Sequence, residues 1–309
     1  MLFGKYHLTS VFQEDAILPE YKGSTLRGVF GIALKRVVCT LKRMECGECL
    51  LRERCLYSTV FEAPSFETGR NGPSPPHPFV IEPPLSTQTE FTAGNALDCT
   101  LQLFGGANRS LPYFVYAFEQ MGRIGLGRRI EGKRPEFLLT AVTCAGQTIY
   151  DHRERVLASA EPVDLKLGAV ERAPGNIGRI TVVLETPLRL KFRNDYQAEL
   201  PFHVLLRGIL RRISSLNDHF ADGQPQLDYR GLTARAERVR IASSTIRWSE
   251  FRRYSNRQKQ AMHMGGMVGE VSYEGDLSEF IPLIRYCEEV HVGKATTFGL
   301  GKITVTEYG

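Results

Sequence analysis

The sequence predicts an α+β protein built from two tandem domains that share one order of strands and helices. Three observations support this fold class. A helix, a glycine-rich turn containing Gly-Leu-Gly and a strand follow one another twice, at 111–142 and at 280–307. Each half also opens with an alternating strand pattern, at 1–12 and at 179–190, followed by an amphipathic helix. The composition, 42% apolar and 24% charged, is typical of a globular chain, and 309 residues suffice for two cores.

The second half shows the order of elements most clearly. Its first helix has an apolar face of Leu206, Ile209, Ile213 and Leu216. Its second helix has a matching stripe, formed by Phe280, Leu283, Ile284 and Cys287. Strands are expected before, between and after these helices, at 179–190, 239–248, 267–273 and 302–307. This β-α-β-β-α-β order is the ferredoxin-like (RRM-like) arrangement.

The first half fits the same scheme with two insertions. Its strands are expected at 1–12, near Phe91, at 99–104 and at 137–142, and Ser24 or Thr25 could cap its first helix. The insertions are a metal-binding cysteine segment at 39–55 and a Pro-rich surface loop at 63–84. We therefore predict an N-terminal ferredoxin-like domain at 1–165 and a C-terminal one at 175–309, the latter with a glycine-rich loop at 293–301.

Charge and hydropathy limit the class of partner. The net charge of +5 and the pI near 8.8 favour a polyanionic partner without establishing one. No apolar run approaches the roughly 20 residues that span a bilayer, and the N-terminus lacks the pattern of a secretory signal. We expect a cytoplasmic protein that has no membrane contact.

Four of the seven cysteines form a cluster, Cys39-x₆-Cys46-x₂-Cys49-x₅-Cys55. Four thiolates complete a tetrahedral shell, and the Cys46-x₂-Cys49 pair is a common zinc half-site. A reducing compartment disfavours disulfides, and a closed shell favours a structural metal over a catalytic one. The sequence thus predicts structural zinc. Four unrelated buried thiols remain an alternative, and an iron–sulfur cluster is a less favoured one.

The glycine-rich turns carry cations, which suggests contact with phosphates. Neither turn matches a P-loop, because each leads into a strand, so no nucleotide cofactor is expected. A tight structural turn would account for Gly125 and Gly299 alone. It would not account for the neighbouring basic residues, which are Arg123, Arg128, Arg129, His291 and Lys294.

Residues 247–259 are the other candidate RNA-binding segment. Five cations and three aromatic residues in this stretch suit phosphate contacts that alternate with base stacking. The alternative is a solvated strand face with Trp248 and Phe251 in the core. The predicted RNA contacts are Arg247, Trp248, Arg252, Arg253, Arg257 and Lys259.

These motifs resemble those of the CRISPR-associated RAMP endoribonucleases that process precursor CRISPR RNA. The resemblance is most specific in 248–301, where the matching motifs are Arg253-Tyr254-Ser255-Asn256-Arg257-Gln258, Met264-Gly265-Gly266, Val268-Gly269, His291-Val292-Gly293-Lys294 and Phe298-Gly299-Leu300-Gly301. The first domain resembles a zinc-bearing branch of that family. Its matching residues are Tyr21-Lys22-Gly23, Leu26-Arg27-Gly28, Cys55-x-Tyr57 and Phe61-Glu62.

The resemblance implies a tandem ferredoxin-like protein that binds CRISPR repeat RNA and cuts it to crRNA with no cofactor for catalysis. The ribose 2′-hydroxyl would attack the adjacent phosphate, which requires a base, an acid and a cation. The family often places a histidine near the first helix of the first domain, and residues 20–22 contain none. His291 is therefore the candidate acid or base, with Tyr21, Lys22 and Lys294 as auxiliaries.

The resemblance also extends to the loop glycines Gly293, Gly299 and Gly301 as RNA contacts. It leaves one rival function, a non-catalytic RNA-binding subunit of a CRISPR effector complex, so effector subunits are further candidate partners.

Overall fold

The chain folds as two compact units, residues 2–164 (the N-terminal unit) and 165–309 (the C-terminal unit, which Met1 joins). This computed structural model describes residues 1–42, 44–62, 75–168, 177–192, 195–255 and 260–308. The side chains of 252–255 and 260–263 are outside that description. Within the described residues, no helix is both long enough and apolar enough for a bilayer span.

In the described part of the N-terminal unit, one six-stranded antiparallel sheet supports two helices. The strands run in the order β3-β5-β1-β6-β7, and β8 pairs with the start of β1. A separate short pair joins β2 to β4. The elements are β1 (Leu2–Phe12), β2 (Ala16–Ile17), α1 (Gly23–Val38), β3 (Phe79–Glu82), β4 (Glu90–Phe91), β5 (Ala96–Phe104), α2 (Leu111–Ile124), β6 (Phe137–Cys144), β7 (Gln147–Asp151) and β8 (Val163–Asp164).

An aromatic cluster binds the helices of this unit to its sheet. Phe30 of α1 lies 5.7 Å from Phe79 of β3, ring centroid to ring centroid. On α2, Phe114 and Phe118 lie 5.7 and 5.3 Å from the same Phe30 ring. Aromatic side chains bury large apolar areas, so this cluster supplies much of the driving force for packing α1 and α2 on one face.

Two predictions for the N-terminal unit are wrong. The predicted Pro-rich loop contains β3, whose Phe79, Val80 and Ile81 are fully buried beside β5. The prolines on either side concealed this short apolar strand, and residues 63–74 of that loop lie outside the described residues. The first helix begins at Gly23 with Lys22 at the N-cap position, so neither Ser24 nor Thr25 caps it.

In the described part of the C-terminal unit, a five-stranded sheet has the order β10-β12-β9-β13, with β11 paired to β12. The predicted strand at 239–248 is two strands, and the predicted strand at 267–273 is the end of a longer one. The elements are β9 (Arg179–Leu188), α3 (Phe202–Phe220), α4 (Tyr229–Ala236), β10 (Arg240–Ser244), β11 (Arg247–Ser255), β12 (Gln260–Glu274), α5 (Ile281–Val290) and β13 (Ile303–Tyr308).

Both units are ferredoxin-like. The order β3-β5-β1-β6 in the first corresponds strand for strand to β10-β12-β9-β13 in the second. Helix α1 follows β1 and helix α2 precedes β6 in the first unit. In the same way, α3 follows β9 and α5 precedes β13 in the second. The predicted tandem α+β fold is therefore confirmed.

The backbone contacts of the two helix–strand turns show which residues correspond. The C-cap of helix α2 is Gly125 (φ 77°, ψ 161°), and that of α5 is His291 (φ 63°, ψ 162°). Three residues further on, the amide of Arg128 donates to the carbonyl of Ile17 over 2.9 Å, and that of Lys294 donates to Arg189 over 3.0 Å.

The two Gly-Leu-Gly sequences are consequently not equivalent, contrary to the sequence prediction. Gly125-Leu126-Gly127 corresponds to 291–293. The sequence 299–301 lies further along the second turn, where Gly301 accepts a hydrogen bond from the amide of Val292 over 2.8 Å.

We expect the third residue of the corresponding segments 125–127 and 291–293, a glycine in both, to be intolerant of a side chain. A methyl group would lie 2.5 Å from the Ile17 carbonyl oxygen at Gly127 and 2.6 Å from that of Arg189 at Gly293, and both residues have positive φ. Gly127→Ala and Gly293→Ala should each lower the free energy of unfolding by about 2–4 kcal/mol, measured by urea denaturation. Gly132 (φ 84°, with open space around it) is the control, for which Gly132→Ala should cost only about 1 kcal/mol.

An equal loss at Gly132 would mean that backbone conformation alone, and not the carbonyl contact, sets the requirement.

Candidate nucleic-acid interface

The glycine-rich turn of the C-terminal unit is held by its own backbone. The amides of Val292, Lys294, Gly299 and Gly301 donate to carbonyls of the protein over 2.7–3.1 Å. The hydroxyl of Thr186 also donates to the Gly299 carbonyl over 2.7 Å. These four amides are therefore engaged within the protein, which favours a rigid structural turn over a phosphate cradle.

The glycines of this turn have a backbone role. Gly293, Gly299 and Gly301 have φ values of 87°, 77° and 77°, which favour glycine. A methyl group at Gly301 would collide with the Val292 carbonyl oxygen. Direct RNA contact by the three glycines stays a prediction.

His291 begins the turn in a conformation that is unusual for histidine. Its φ of 63° and ψ of 162° lie in a region that is used almost only by glycine. The corresponding residue of the N-terminal unit is in fact a glycine, Gly125. The imidazole has no exposed surface, and its Nδ1 donates to the Leu300 carbonyl over 3.0 Å. The role of the His291 ring stays a prediction.

A buried arginine fixes the helix end just before His291. Arg212 of α3 donates from Nε and Nη2 to the carbonyl of Val290 over 3.0 and 2.8 Å. Burial lowers the pKa of the Arg212 guanidinium to about 10, so it stays charged near neutrality. A cation at a helix C-terminus is stabilised by the helix dipole. Arg212 points inward, whereas the preceding residue, Arg211, is exposed.

Lys294 supplies an exposed cation on the rigid turn. Its amide is fixed to the Arg189 carbonyl, whereas its side chain is solvent-exposed. The carbonyl of Arg189 accepts the Lys294 amide, and its guanidinium contacts Tyr196 and Gly265. No motif of the sequence predicted a role for Arg189 or Tyr196.

The predicted auxiliaries of the N-terminal unit are buried to different extents. The ammonium of Lys22 is fully buried and donates to the carbonyls of Glu20 and Ser86 over 3.1 and 2.8 Å. Burial lowers the pKa of Lys22, and Glu20 partly offsets that shift. Burial raises the pKa of the Tyr21 phenol, which therefore stays protonated at neutral pH. Tyr21 and Lys22 belong to the N-terminal unit, whereas His291 belongs to the C-terminal unit.

The predicted RNA-binding cations are exposed wherever they are described. Arg123, Arg128 and Arg129 lie on the surface of the N-terminal unit, and Arg247 lies on that of the C-terminal unit. Trp248 is half-buried, which is compatible with base stacking and with core packing. The side chains of Arg252 and Arg253, together with Arg257 and Lys259, lie outside the described residues.

Family models match both halves of the chain. Residues 1–162, just over half of its length, match the family AF_1859_N, described as an N-terminal domain. Residues 182–303, which include the whole glycine-rich turn, match the CRISPR-associated endoribonuclease Cas6. The chain belongs to the AF_1859_N family, and its C-terminal part is similar to Cas6.

Individual proteins resemble this chain along its length. A protein of Archaeoglobus fulgidus that bears the name "Uncharacterized protein" is 24% identical, over 97% of this chain and 93% of its own. Thermus thermophilus Cas6 has a TM-score of 0.55 at 15% identity, with 99% and 98% of the two chains covered. A Cas6 product complex has 0.57 at 15%, with 99% and 100% covered.

A partial Cas6-RT-Cas1–Cas2 complex has a TM-score of 0.60 at 11% identity; 99% of this chain spans 46% of that longer one. At these identities the solved structures establish the tandem ferredoxin-like fold.

The cysteine segment lies beside an aromatic cluster formed by the motif residues of the first domain. Arg27 lies over the Phe61 ring at 4.3 Å, and Phe61 stacks on Tyr57 with 5.3 Å between ring centroids. Lys35 lies 5.5 Å from the Tyr57 ring. Burial raises the pKa of the Cys46 thiol, and Lys35 partly offsets this shift. The end of α1 and the cysteine segment thus share contacts.

The described residues do not gather a complete metal shell. Among them, no three histidine, cysteine, aspartate or glutamate side chains form a group that could hold a metal ion. Cys39 and Cys46 interact electrostatically, whereas Cys49 and Cys55 do not complete the set. In this geometry the four cysteines do not fit a tetrahedral ion, and structural zinc stays a prediction.

Metal analysis of the purified protein tests the zinc prediction. If the four cysteines close around zinc, the protein should contain about one zinc ion per chain, and Cys46→Ser with Cys49→Ser should abolish it. The Cys99→Ser variant, at a buried thiol outside the cluster, serves as the control. Iron in place of zinc would support the cluster alternative, and a metal-free, stable protein would contradict both.

Arg212 should matter for stability far more than its neighbour. Arg212→Ala removes two hydrogen bonds from a buried carbonyl and should lower the free energy of unfolding by about 2–4 kcal/mol. Arg211→Ala, at an exposed site one residue away, should change it by less than about 0.5 kcal/mol. Urea denaturation followed by circular dichroism measures both. Equal effects would contradict a specific role for the Val290 contact.

Proposed function

We propose that this protein is an endoribonuclease that cleaves CRISPR repeat RNA to crRNA. The observation that carries the proposal is the Cas6 match over 182–303, because that span contains the rigid glycine-rich turn, His291 and Lys294. One of the solved relatives is a Cas6 product complex. The net charge of +5 and the exposed arginines of both units agree with a polyanionic substrate.

The proposed reaction is a transesterification without a catalytic metal. The 2′-oxygen loses its proton to a base and attacks the adjacent phosphorus. The bond to the 5′-oxygen breaks, and that oxygen takes a proton from an acid, which leaves a 2′,3′-cyclic phosphate and a 5′-hydroxyl. A cation near the phosphorane stabilises its developing charge. Lys294 suits this role, since its backbone is fixed and its ammonium reaches solvent.

His291 is the proposed acid or base. The strained backbone of His291 supports a functional role, because the N-terminal unit uses glycine at the corresponding position. Its ring is buried here, so proton transfer to RNA requires the ring to become exposed when RNA binds. Tyr21, as a protonated hydrogen-bond donor, and Lys22 are the proposed auxiliaries.

The burial of His291 and Lys22 favours one alternative, an RNA-binding subunit that does not cut. Such a protein would hold RNA on the same exposed cations and would assemble with CRISPR proteins. A solved relative occurs in a Cas6-RT-Cas1–Cas2 complex, which makes CRISPR proteins candidate partners in either case.

Cleavage in EDTA distinguishes the two functions. We expect end-labelled repeat RNA to be cut at one position in EDTA, with product ends that show a cyclic phosphate and a 5′-hydroxyl. The melting temperature of the protein is measured in the same buffer, so that loss of a structural metal is not mistaken for loss of a catalytic one. Tight binding without a cut would favour the non-catalytic RNA-binding subunit. If the protein stays folded in EDTA but cuts only after Mg²⁺ is added, the metal-independent mechanism is contradicted.

Two substitutions at His291 separate its chemical role from its backbone role. His291→Asn keeps a donor for the Leu300 carbonyl and leaves the backbone strain as it is, and His291→Gly relieves the strain. Both variants should fold and bind RNA while cleavage falls by about 100-fold or more, as for a lost acid or base. Single-turnover rates and filter binding measure this. Full activity in either variant would exclude His291 from proton transfer.

The cation on the turn is tested separately. Lys294→Ala should slow cleavage by about 10-fold or more. Lys133→Ala, at an exposed lysine after the corresponding turn of the N-terminal unit, is the matched control.

A further inference from the structure

We propose that one RNA base stacks on an aromatic site beside the glycine-rich turn, next to the phosphate held at Lys294. The site consists of Arg189, Lys191, Tyr196, Trp248 and Gly265, and is called the Trp248 site here. The proposal rests on the proposed function for the identity of the ligand as RNA, and it adds a residue set that reads a base.

The two aromatic rings come from separate parts of the C-terminal unit. Tyr196 precedes α3 and Trp248 lies on β11, and their ring centroids are 5.8 Å apart with 39° between the ring planes. Both residues are half-buried, so each keeps some accessible surface. Two tilted rings with accessible surface suit a third flat ring, because every base has a π face.

A glycine of β12 seats the indole. A methyl group at Gly265 would lie 2.7 Å from Nε1 of Trp248, so the ring packs directly on the main chain there. Arg189 Nη1 donates to the carbonyl of the same Gly265 over 2.9 Å. The indole is therefore positioned before any ligand arrives, which reduces the entropy cost of binding.

Cations surround the tyrosine ring. The guanidinium of Arg189 lies 4.7 Å from the centroid of Tyr196, and the ammonium of Lys191 lies 5.7 Å from it. Lys191 is exposed. Aromatic rings with adjacent cations match a nucleotide, whose base stacks while its phosphate is neutralised.

Arg189 connects this site to the proposed catalytic turn. Its carbonyl accepts the Lys294 amide over 3.0 Å, while its guanidinium holds Tyr196 and Gly265. The distance from the aromatic rings to the turn is thereby fixed by one residue. A base on the Trp248 site belongs to a nucleotide close to the phosphate at Lys294, so it contributes to the choice of cleavage position.

Tryptophan fluorescence reports on ligand binding at the Trp248 site, because Trp248 is the single tryptophan of the 309 residues. Repeat RNA should quench or shift its fluorescence saturably, over the concentration range in which a filter assay shows binding. Repeat RNAs with one abasic position each are compared at saturating concentration, and the RNA that lacks the stacked base should bind more weakly and give no fluorescence change. That position should lie within a few nucleotides of the cut.

Substitution of Tyr196 gives an independent measure. Tyr196→Leu should weaken RNA binding about 5- to 150-fold, the range for one lost stacked base, while Tyr196→Phe should retain affinity. Tyr113→Leu, at an exposed tyrosine on α2 of the other unit, should bind as the unchanged protein does. Thermal melts confirm that all three variants fold.

The outcomes separate this inference from the proposed function. RNA that is bound and cut normally with no change in Trp248 fluorescence, or with full affinity in Tyr196→Leu, would overturn the stacking site and leave the nuclease intact. A fluorescence change and a Tyr196 effect without any cleavage would support the site and remove the nuclease. A fluorescence change produced by a CRISPR protein and not by RNA would overturn the site as an RNA contact.

Discussion

A hydrogen bond from a turn amide to a carbonyl in the segment after the first strand is common to both halves of this protein. In the C-terminal unit the bond joins Lys294 to Arg189, and in the N-terminal unit it joins Arg128 to Ile17. The last helix, the glycine turn and the last strand are all positioned from that contact. Glycine is required two residues after the helix C-cap because the same carbonyl leaves no room for a side chain.

Local periodicity was sufficient to predict most of the fold. The strand at the N-terminus and helices α1, α2, α3 and α5 have apolar patterns that depend on neighbours a few residues away. Strand β3 was missed because its identity depends on pairing with β5, which is distant along the chain. Prolines around a three-residue apolar run gave the opposite local signal.

The site was less predictable than the fold, since it depends on which of two adjacent side chains points inward. Arg211 and Arg212 look alike in the sequence, yet Arg212 alone reaches the Val290 carbonyl. The correspondence between His291 and Gly125 is likewise visible only through backbone angles, because the two Gly-Leu-Gly sequences suggested a different alignment. Lys294 is exposed on the turn, and its catalytic role stays a prediction.

Arg189 sets the spacing between the two proposed RNA contacts of the C-terminal unit. Its main chain holds the turn and its side chain contacts Tyr196, so the two contacts are offered to a ligand at a fixed distance. For a strand that is bound at one of them, binding at the other is intramolecular and costs no further translational freedom. An RNA that fills both places would therefore be held more tightly than its separate halves, and a product that keeps only one of them would leave more readily.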